Sequence, residues 1–267
     1  MPADLKPLLD DLAAESAVLD ALLAPLPAGG WRRPTMAVGW TIADQVSHLA
    51  YFDDVTLLSM TDPDRFRRDA QALAADGDDY PDRVAAQHRH LTGDVLLAWF
   101  RTARQALLDG YAACDPATRL PWFGPDMGVA SSVTARLMET WAHGQDIADT
   151  LGLERPATGR LRHVAHIGIR ALPYSYIVNG LPVPAQPIRV ELTAPDGNGW
   201  GWGPQGAANR VTGTALDFCL AVTQRRHLAD TGLVVTGPVA NQWMAIAQAF
   251  AGPAGPGRRP RDEKVRP

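Results

Sequence analysis

The sequence has little of several features that define large protein classes. Its 267 residues include two cysteines, too few for a disulfide framework, so free thiols in a reducing compartment are expected. No apolar run approaches the roughly 20 residues that span a bilayer, and the first residues lack the apolar core of a signal peptide. The net charge of -4 gives no general attraction for nucleic acids or anionic membranes. These absences predict a cytoplasmic globular protein with neither a nucleic-acid nor a membrane partner.

Hydrophobic periodicity predicts a mainly α fold. Apolar side chains recur at helical spacing in four segments of the first 155 residues, and polar or Pro/Gly-rich stretches separate them at 61–80 and 114–128. Thr41 followed by Asp44 is a capping-box pattern that predicts where the second helix begins. The predicted helices cover residues 3–25, 41–60, 81–112 and 130–151. Helices of this length with these connections favour a four-helix bundle over residues 1–155.

Residues 156–252 have a different pattern, which predicts a small α+β domain. A fifth helix is expected at 161–176, and a turn at 195–199 separates two short strand patterns. A third strand is expected near 209–212, followed by helices at 215–223 and 240–250. Residues 253–267 are rich in Pro, Gly and Arg, and we expect a disordered tail.

Two histidines and a glutamate form the candidate metal site. Glu139 and His143 are four residues apart in a predicted helix, so they lie one turn apart on the same face. If His48 faces them from the second helix, two imidazoles and a carboxylate converge on one point, as in divalent-metal sites with open positions. Both parts of this pattern also have a simpler interpretation. His48 could be a buried histidine with one hydrogen bond, and Glu139 and His143 could be a simple surface pair.

Two further charged residues lie on the same helix and are candidate catalytic groups. Asp146 is one turn after His143, where it could orient an imidazole from behind or bind the metal through oxygen. Arg136 is one turn before Glu139, where it could be that residue's counterion or could hold a substrate carboxylate.

These motifs resemble a known metalloenzyme superfamily. The stretch GWTIADQVSHLA at residues 39–50 is similar to the first ligand motif of the DinB/YfiT-like proteins. The stretch RLMETWAHGQD at residues 136–146 resembles the last-helix motif of one branch, the mycothiol-dependent maleylpyruvate isomerases. Residues 213–226 and 235–240 look like the small sterol-carrier-like C-terminal module of such isomerases. The chain also resembles proteins described by the term wyosine base formation.

The resemblance implies a ligand set and a class of reaction. It implies a DinB-like bundle in which His48, Glu139 and His143 hold a divalent metal, zinc or alternatively nickel. It further implies an isomerase or S-transferase that uses mycothiol and acts on a small carboxylate-bearing metabolite. Two alternatives stay open: a thiol-independent lyase or hydrolase on the same metal, and a non-catalytic metal- or small-molecule-binding protein. The expected partner is a small-molecule substrate, and the protein is expected to be a monomer or a homodimer.

Overall fold

The structure is a computed structural model that describes residues 4–75 and 77–261. The chain divides into two compact units, residues 1–155 and 156–267. The fold is mainly α with a small C-terminal α+β part, which confirms the predicted class. Within the described residues, no helix is long and apolar enough to cross a membrane.

The first unit is built on a bundle of long helices. In its described part, four long and two shorter helices occur together with a two-stranded hairpin, β1 (Arg119–Leu120) paired with β2 (Met127–Gly128). The helices are α1 (Lys6–Leu23), α2 (Ile42–Thr61), α3 (Pro63–Ala74), α4 (Tyr80–Gln87), α5 (Gly93–Ala113) and α6 (Val129–Leu151). Helix α2 packs on α5 and α6, and α1 packs on the same two helices, so the four long helices enclose a common core. That arrangement brings α2 beside α6, the two helices that carry the candidate ligands.

Local signals explain where the ligand-bearing helices begin and end. Thr41 and Asp44 form the predicted capping box: Thr41 Oγ1 accepts from the Asp44 N–H, and Asp44 Oδ2 accepts from the Thr41 N–H at 2.8 Å. Arg89 Nε also donates to Asp44 at 2.8 Å, so this carboxylate has a structural role. Helix α6 ends at Gly152, which adopts a left-handed conformation at φ 69°.

The prediction of one continuous helix over 81–112 is wrong. The segment forms α4 and α5, and Thr92 is in an extended conformation immediately before α5. Trp31 packs closely against Gly93, where a Cβ would lie 2.3 Å from the indole Nε1. The missing side chain at the start of α5 therefore makes room for a contact with a distant part of the chain, and helical periodicity does not record such a contact.

The second unit combines a mixed sheet with short helices. The sheet order is β4–β3–β5–β6, with β3 parallel to β5 and the other pairs antiparallel. Helix α9 packs on α7 and on the sheet, and α10 packs on α8 and on the sheet. The elements are α7 (Leu161–Arg170), α8 (Leu172–Val178), β3 (Ile188–Thr193), β4 (Gly199–Trp202), β5 (Asn209–Thr214), α9 (Ala215–Val222), β6 (Val234–Thr236) and α10 (Pro238–Ile246).

Two details of this unit differ from the sequence prediction. The helix expected at 161–176 is two helices, because Pro173 lies at the start of α8 and would clash with the preceding turn of a continuous helix. Strand β6 was not predicted; it is three residues long and takes its place by pairing with β5. Of the predicted disordered tail, residues 262–267 lie outside the described residues. Residues 253–261 contain no helix or strand, and Arg258 Nε donates to the Gln224 carbonyl.

Candidate metal centre

The structure brings His48, Glu139 and His143 together. One ligand atom from each residue lies within 4.8 Å of the ligand atoms of the other two. Among the described residues, these three form the one such cluster of potential metal ligands. Glu139 Oε2 is 3.0 Å from His143 Nε2 and 3.7 Å from His48 Nε2. Two ligands of a tetrahedral zinc ion with bonds of ~2.1 Å lie about 3.4 Å apart, so these spacings suit a metal. The two imidazole nitrogens and the carboxylate oxygen are also the donor types that zinc and nickel accept.

The three side chains are largely but not completely buried. Their exposed fractions are 12% for His48, 21% for Glu139 and 9% for His143. Each ligand is therefore held by the surrounding protein while the cluster keeps a solvent-accessible side. A closed structural site would leave no such opening, whereas a site that admits a further ligand requires one.

Burial and mutual contact set the charges of two of these groups. Burial lowers the pKa of His48 to about 4, and the hydrogen bond with Glu139 opposes that effect. Burial alone would raise the pKa of Glu139, but hydrogen bonds with His143 and His48, and their charges, hold it well below its usual value. Near neutral pH the cluster thus contains a neutral His48 and an anionic Glu139, which are the protonation states that bind a metal.

Aromatic rings cover one side of the cluster. The Trp40 ring lies 5.2 Å from the His48 ring and stacks nearly parallel to His143 at 5.9 Å. The Phe52 ring lies 4.6 Å from His48 and contacts Phe123. Trp40 Nε1 donates to Asp82, which anchors the indole. These rings keep water from that side and so strengthen electrostatic interactions at the ligands.

The acceptor behind His143 is Gln45, which was not among the candidate site residues. His143 Nδ1 is hydrogen-bonded to Gln45 Oε1, which lies on α2. Asp146 is buried and is not part of the ligand cluster found among the described residues. The sequence contained a usable signal, since Gln45 is three residues before His48 and so shares its helix face.

The buried Arg136 side chain binds Asp53 and makes no contact with Glu139. Its Nε donates to Asp53 Oδ1 at 3.0 Å, and its Nη2 donates to the Leu49 carbonyl at 3.1 Å. Arg104 binds the same carboxylate through Nε at 2.7 Å. All three charged side chains are buried. Arg136 therefore acts as a counterion, as one of the two predictions stated, but its partner is Asp53 and not Glu139. None of these contacts supports the other prediction, in which Arg136 holds a substrate carboxylate.

Comparisons with known proteins show the family of the chain. A family model described as the mycothiol maleylpyruvate isomerase N-terminal domain matches residues 12–148, just over half of the chain, and one described as wyosine base formation matches residues 184–236. The uncharacterized proteins MT0041 and Rv0036c of two Mycobacterium tuberculosis strains are each 50% identical over 256 residues. Those alignments span 96% of this chain and 100% of each relative.

Solved structures support the fold. Two crystal structures of the mycothiol-dependent maleylpyruvate isomerase, one of a histidine-to-alanine mutant, match with a TM-score of 0.59 at 14% identity. The mutant's match covers 88% of this chain and 97% of that chain, and the other covers 87% and 93%. Because the family match contains all three candidate ligands, the fold and the motifs lead to one assignment: the chain belongs to the family defined by the mycothiol maleylpyruvate isomerase N-terminal domain.

Proposed function

We propose that this protein is a metal-dependent enzyme that uses mycothiol to isomerise or S-conjugate a small metabolite. The observation that carries the proposal is the convergence of His48, Glu139 and His143 within the part of the chain that matches the isomerase family. The donor set fits a divalent ion, zinc or alternatively nickel, and the partly exposed cluster leaves room for a further ligand. A divalent metal held there would supply Lewis acidity that lowers the pKa of a bound thiol or water.

The chain's own residues contribute positioning and a dry environment. Glu139 carries the negative charge that binds a cation, and His48 provides a neutral imidazole. Trp40 and Phe52 exclude water beside the ligands. Mycothiol would supply a thiol for addition to an electron-poor double bond; loss of the thiol after rotation gives an isomer, whereas retention gives an S-conjugate.

The substrate class is part of the proposal. The resemblance implies a small carboxylate-bearing molecule, and maleylpyruvate is the substrate in the names of the related structures. The structure commits Arg136 to Asp53, so carboxylate recognition would need a cation other than Arg136. Maleylpyruvate is the first compound to assay, together with other electron-poor cis alkenes that carry a carboxylate.

The test measures metal and thiol dependence in sequence. Elemental analysis of protein purified without added metal should give about one zinc or nickel per chain, and His143→Ala should reduce it to background. Mycothiol should then be required for isomerisation, or be consumed in conjugation, by the wild type. Absence of metal would refute the proposal. Metal-dependent turnover without thiol would support a lyase or hydrolase, and metal binding without turnover of any compound would support a binding protein.

A further inference from the structure

A chain of hydrogen bonds runs from the loop before α2 to the ring of His143. Gln45 is fully buried, and its Nε2 donates to Thr35 Oγ1 at 2.9 Å. The Thr35 hydroxyl donates to the Trp40 carbonyl at 3.0 Å. Because the Thr35 hydroxyl gives its proton to that carbonyl, its Oγ1 must be the acceptor in the hydrogen bond with Gln45. The amide orientation follows: NH₂ faces Thr35, and Oε1 faces His143 Nδ1.

This orientation decides which nitrogen of His143 carries hydrogen. Gln45 Oε1 has no proton to give, so the bond requires hydrogen on Nδ1 of His143. A neutral imidazole of that tautomer has its lone pair on Nε2, the nitrogen 3.0 Å from Glu139 Oε2. A lone pair and a carboxylate oxygen at that separation repel each other unless a proton or a metal ion lies between them, and a metal ion bound there takes the place of that proton. The arrangement therefore presents both groups to a metal ion.

We propose that Gln45 is a positioning residue that selects the Nδ1–H tautomer of His143 and thereby sets the affinity of the metal site. The inference rests on the proposed metal binding, because its consequence is measured on the bound ion. Thr35 acts one step further back by holding the Gln45 amide in its orientation. Neither residue contacts the open side of the cluster, so both act through His143.

Within the described part of the chain, the other imidazole ligand, His48, has no such hydrogen-bonded partner behind its ring. Nδ1 of His48 is buried and has no hydrogen-bond partner among the described residues. Its ring is held by packing against Trp40 and Phe52. Hydrogen-bonded partners behind a metal-binding imidazole orient the ring and raise its basicity, and their removal typically weakens metal binding about 10–100-fold. We therefore expect the effect of Gln45 to be exerted on His143 alone.

Three variants separate this role from general packing. Gln45→Leu removes the acceptor at similar volume, and Gln45→Glu keeps an acceptor oxygen at the same place. Gln145→Leu is the matched control, because it makes the same change at another mostly buried glutamine, two residues from His143. The Gln145 amide is hydrogen-bonded to Asp149. Circular dichroism and urea unfolding establish that each variant is folded before binding is compared.

The first measurement is the tautomer in metal-free protein. Nitrogen-15 correlation spectra at alkaline pH, where histidine is neutral, report which ring nitrogen carries hydrogen. The signal of His143, assigned by its loss in His143→Ala, should show Nδ1–H in the wild type, in Gln45→Glu and in Gln145→Leu. In Gln45→Leu it should shift toward the Nε2–H tautomer. An Nε2–H tautomer in the wild type would overturn the proposal.

The second measurement is the zinc dissociation constant from competition with a chelator. Gln45→Leu should bind about 10–100-fold more weakly, whereas Gln45→Glu and Gln145→Leu should stay within a few-fold of the wild type. Cobalt-substituted Gln45→Leu should also show altered d–d absorption bands. Equal zinc affinity in Gln45→Leu and Gln145→Leu would overturn the proposal. If Gln45→Leu does not fold, a tenfold loss in Gln45→Glu would overturn it instead. Failure of the wild type to bind zinc would refute the proposed function, while the spectra would still report the tautomer.

Discussion

The buried carboxylate of Asp53 offers the sharpest test of how the bundle holds its ligands. Asp53 has no exposed surface and accepts hydrogen bonds from two arginines on different helices. Arg104 on α5 approaches at 2.7 and 3.1 Å, and Arg136 on α6 approaches at 3.0 and 2.9 Å. One carboxylate on α2 thus joins three helices, including the two that carry His48 and Glu139.

Replacing Asp53 with Asn removes the negative charge while keeping the shape. Two buried guanidinium groups then lack a counter-charge, and breaking a buried ion pair in this way typically costs about 3–5 kcal/mol. Whole domains are stable by only about 5–15 kcal/mol, so the loss should be large and easily measured. Urea unfolding followed by circular dichroism should show a lower midpoint with an unchanged slope. The zinc affinity should fall as well, because α2 and α6 lose a link.

Asp54→Asn is the control, because it changes the neighbouring residue of the same helix in the same way. Asp54 is exposed and accepts one hydrogen bond from Trp99 Nε1 at 2.7 Å. Its loss should cost about 1 kcal/mol or less. If Asp53→Asn costs no more than Asp54→Asn, the arginines are stabilised by other groups, and the reasoning that this carboxylate links the ligand-bearing helices is refuted.

Three further predictions follow from the same contacts. His143→Ala should abolish metal binding and any activity while the helical signal is kept, because the core consists of apolar side chains such as Leu49 and Phe100; collapse on chelation would indicate a structural metal. Residues 1–155 expressed alone should fold and bind zinc with near wild-type affinity, since every candidate ligand and Gln45 lie in that unit; a large loss would contradict this. A thiol reagent should label Cys114 in the native protein and leave Cys219 unlabelled until unfolding, because burial raises the pKa of the Cys219 thiol; rapid native labelling of both would count against the buried assignment.

Local chemistry made much of the fold predictable. The capping box at Thr41 and Asp44 set the start of α2, and Gly152 set the end of α6, because caps and left-handed glycines act within a few residues. The turn at 195–199 predicted the β3–β4 hairpin for the same reason. The close contact of Trp31 with Gly93 at the start of α5 was not predictable in this way, since it joins two residues that lie far apart in the chain.

For the candidate site, the sequence by itself determined which residues could serve as ligands. The spacing of Glu139 and His143 places them on one helix face whatever else the chain does, because the helical repeat alone requires it. Only the tertiary structure decided their partners. It placed Gln45, which had not been a candidate, behind His143, and it turned Arg136 to Asp53. Those contacts join α2 to α6 across 98 and 83 positions of sequence, and the packing of whole helices, which no local pattern encodes, sets which side chains meet there.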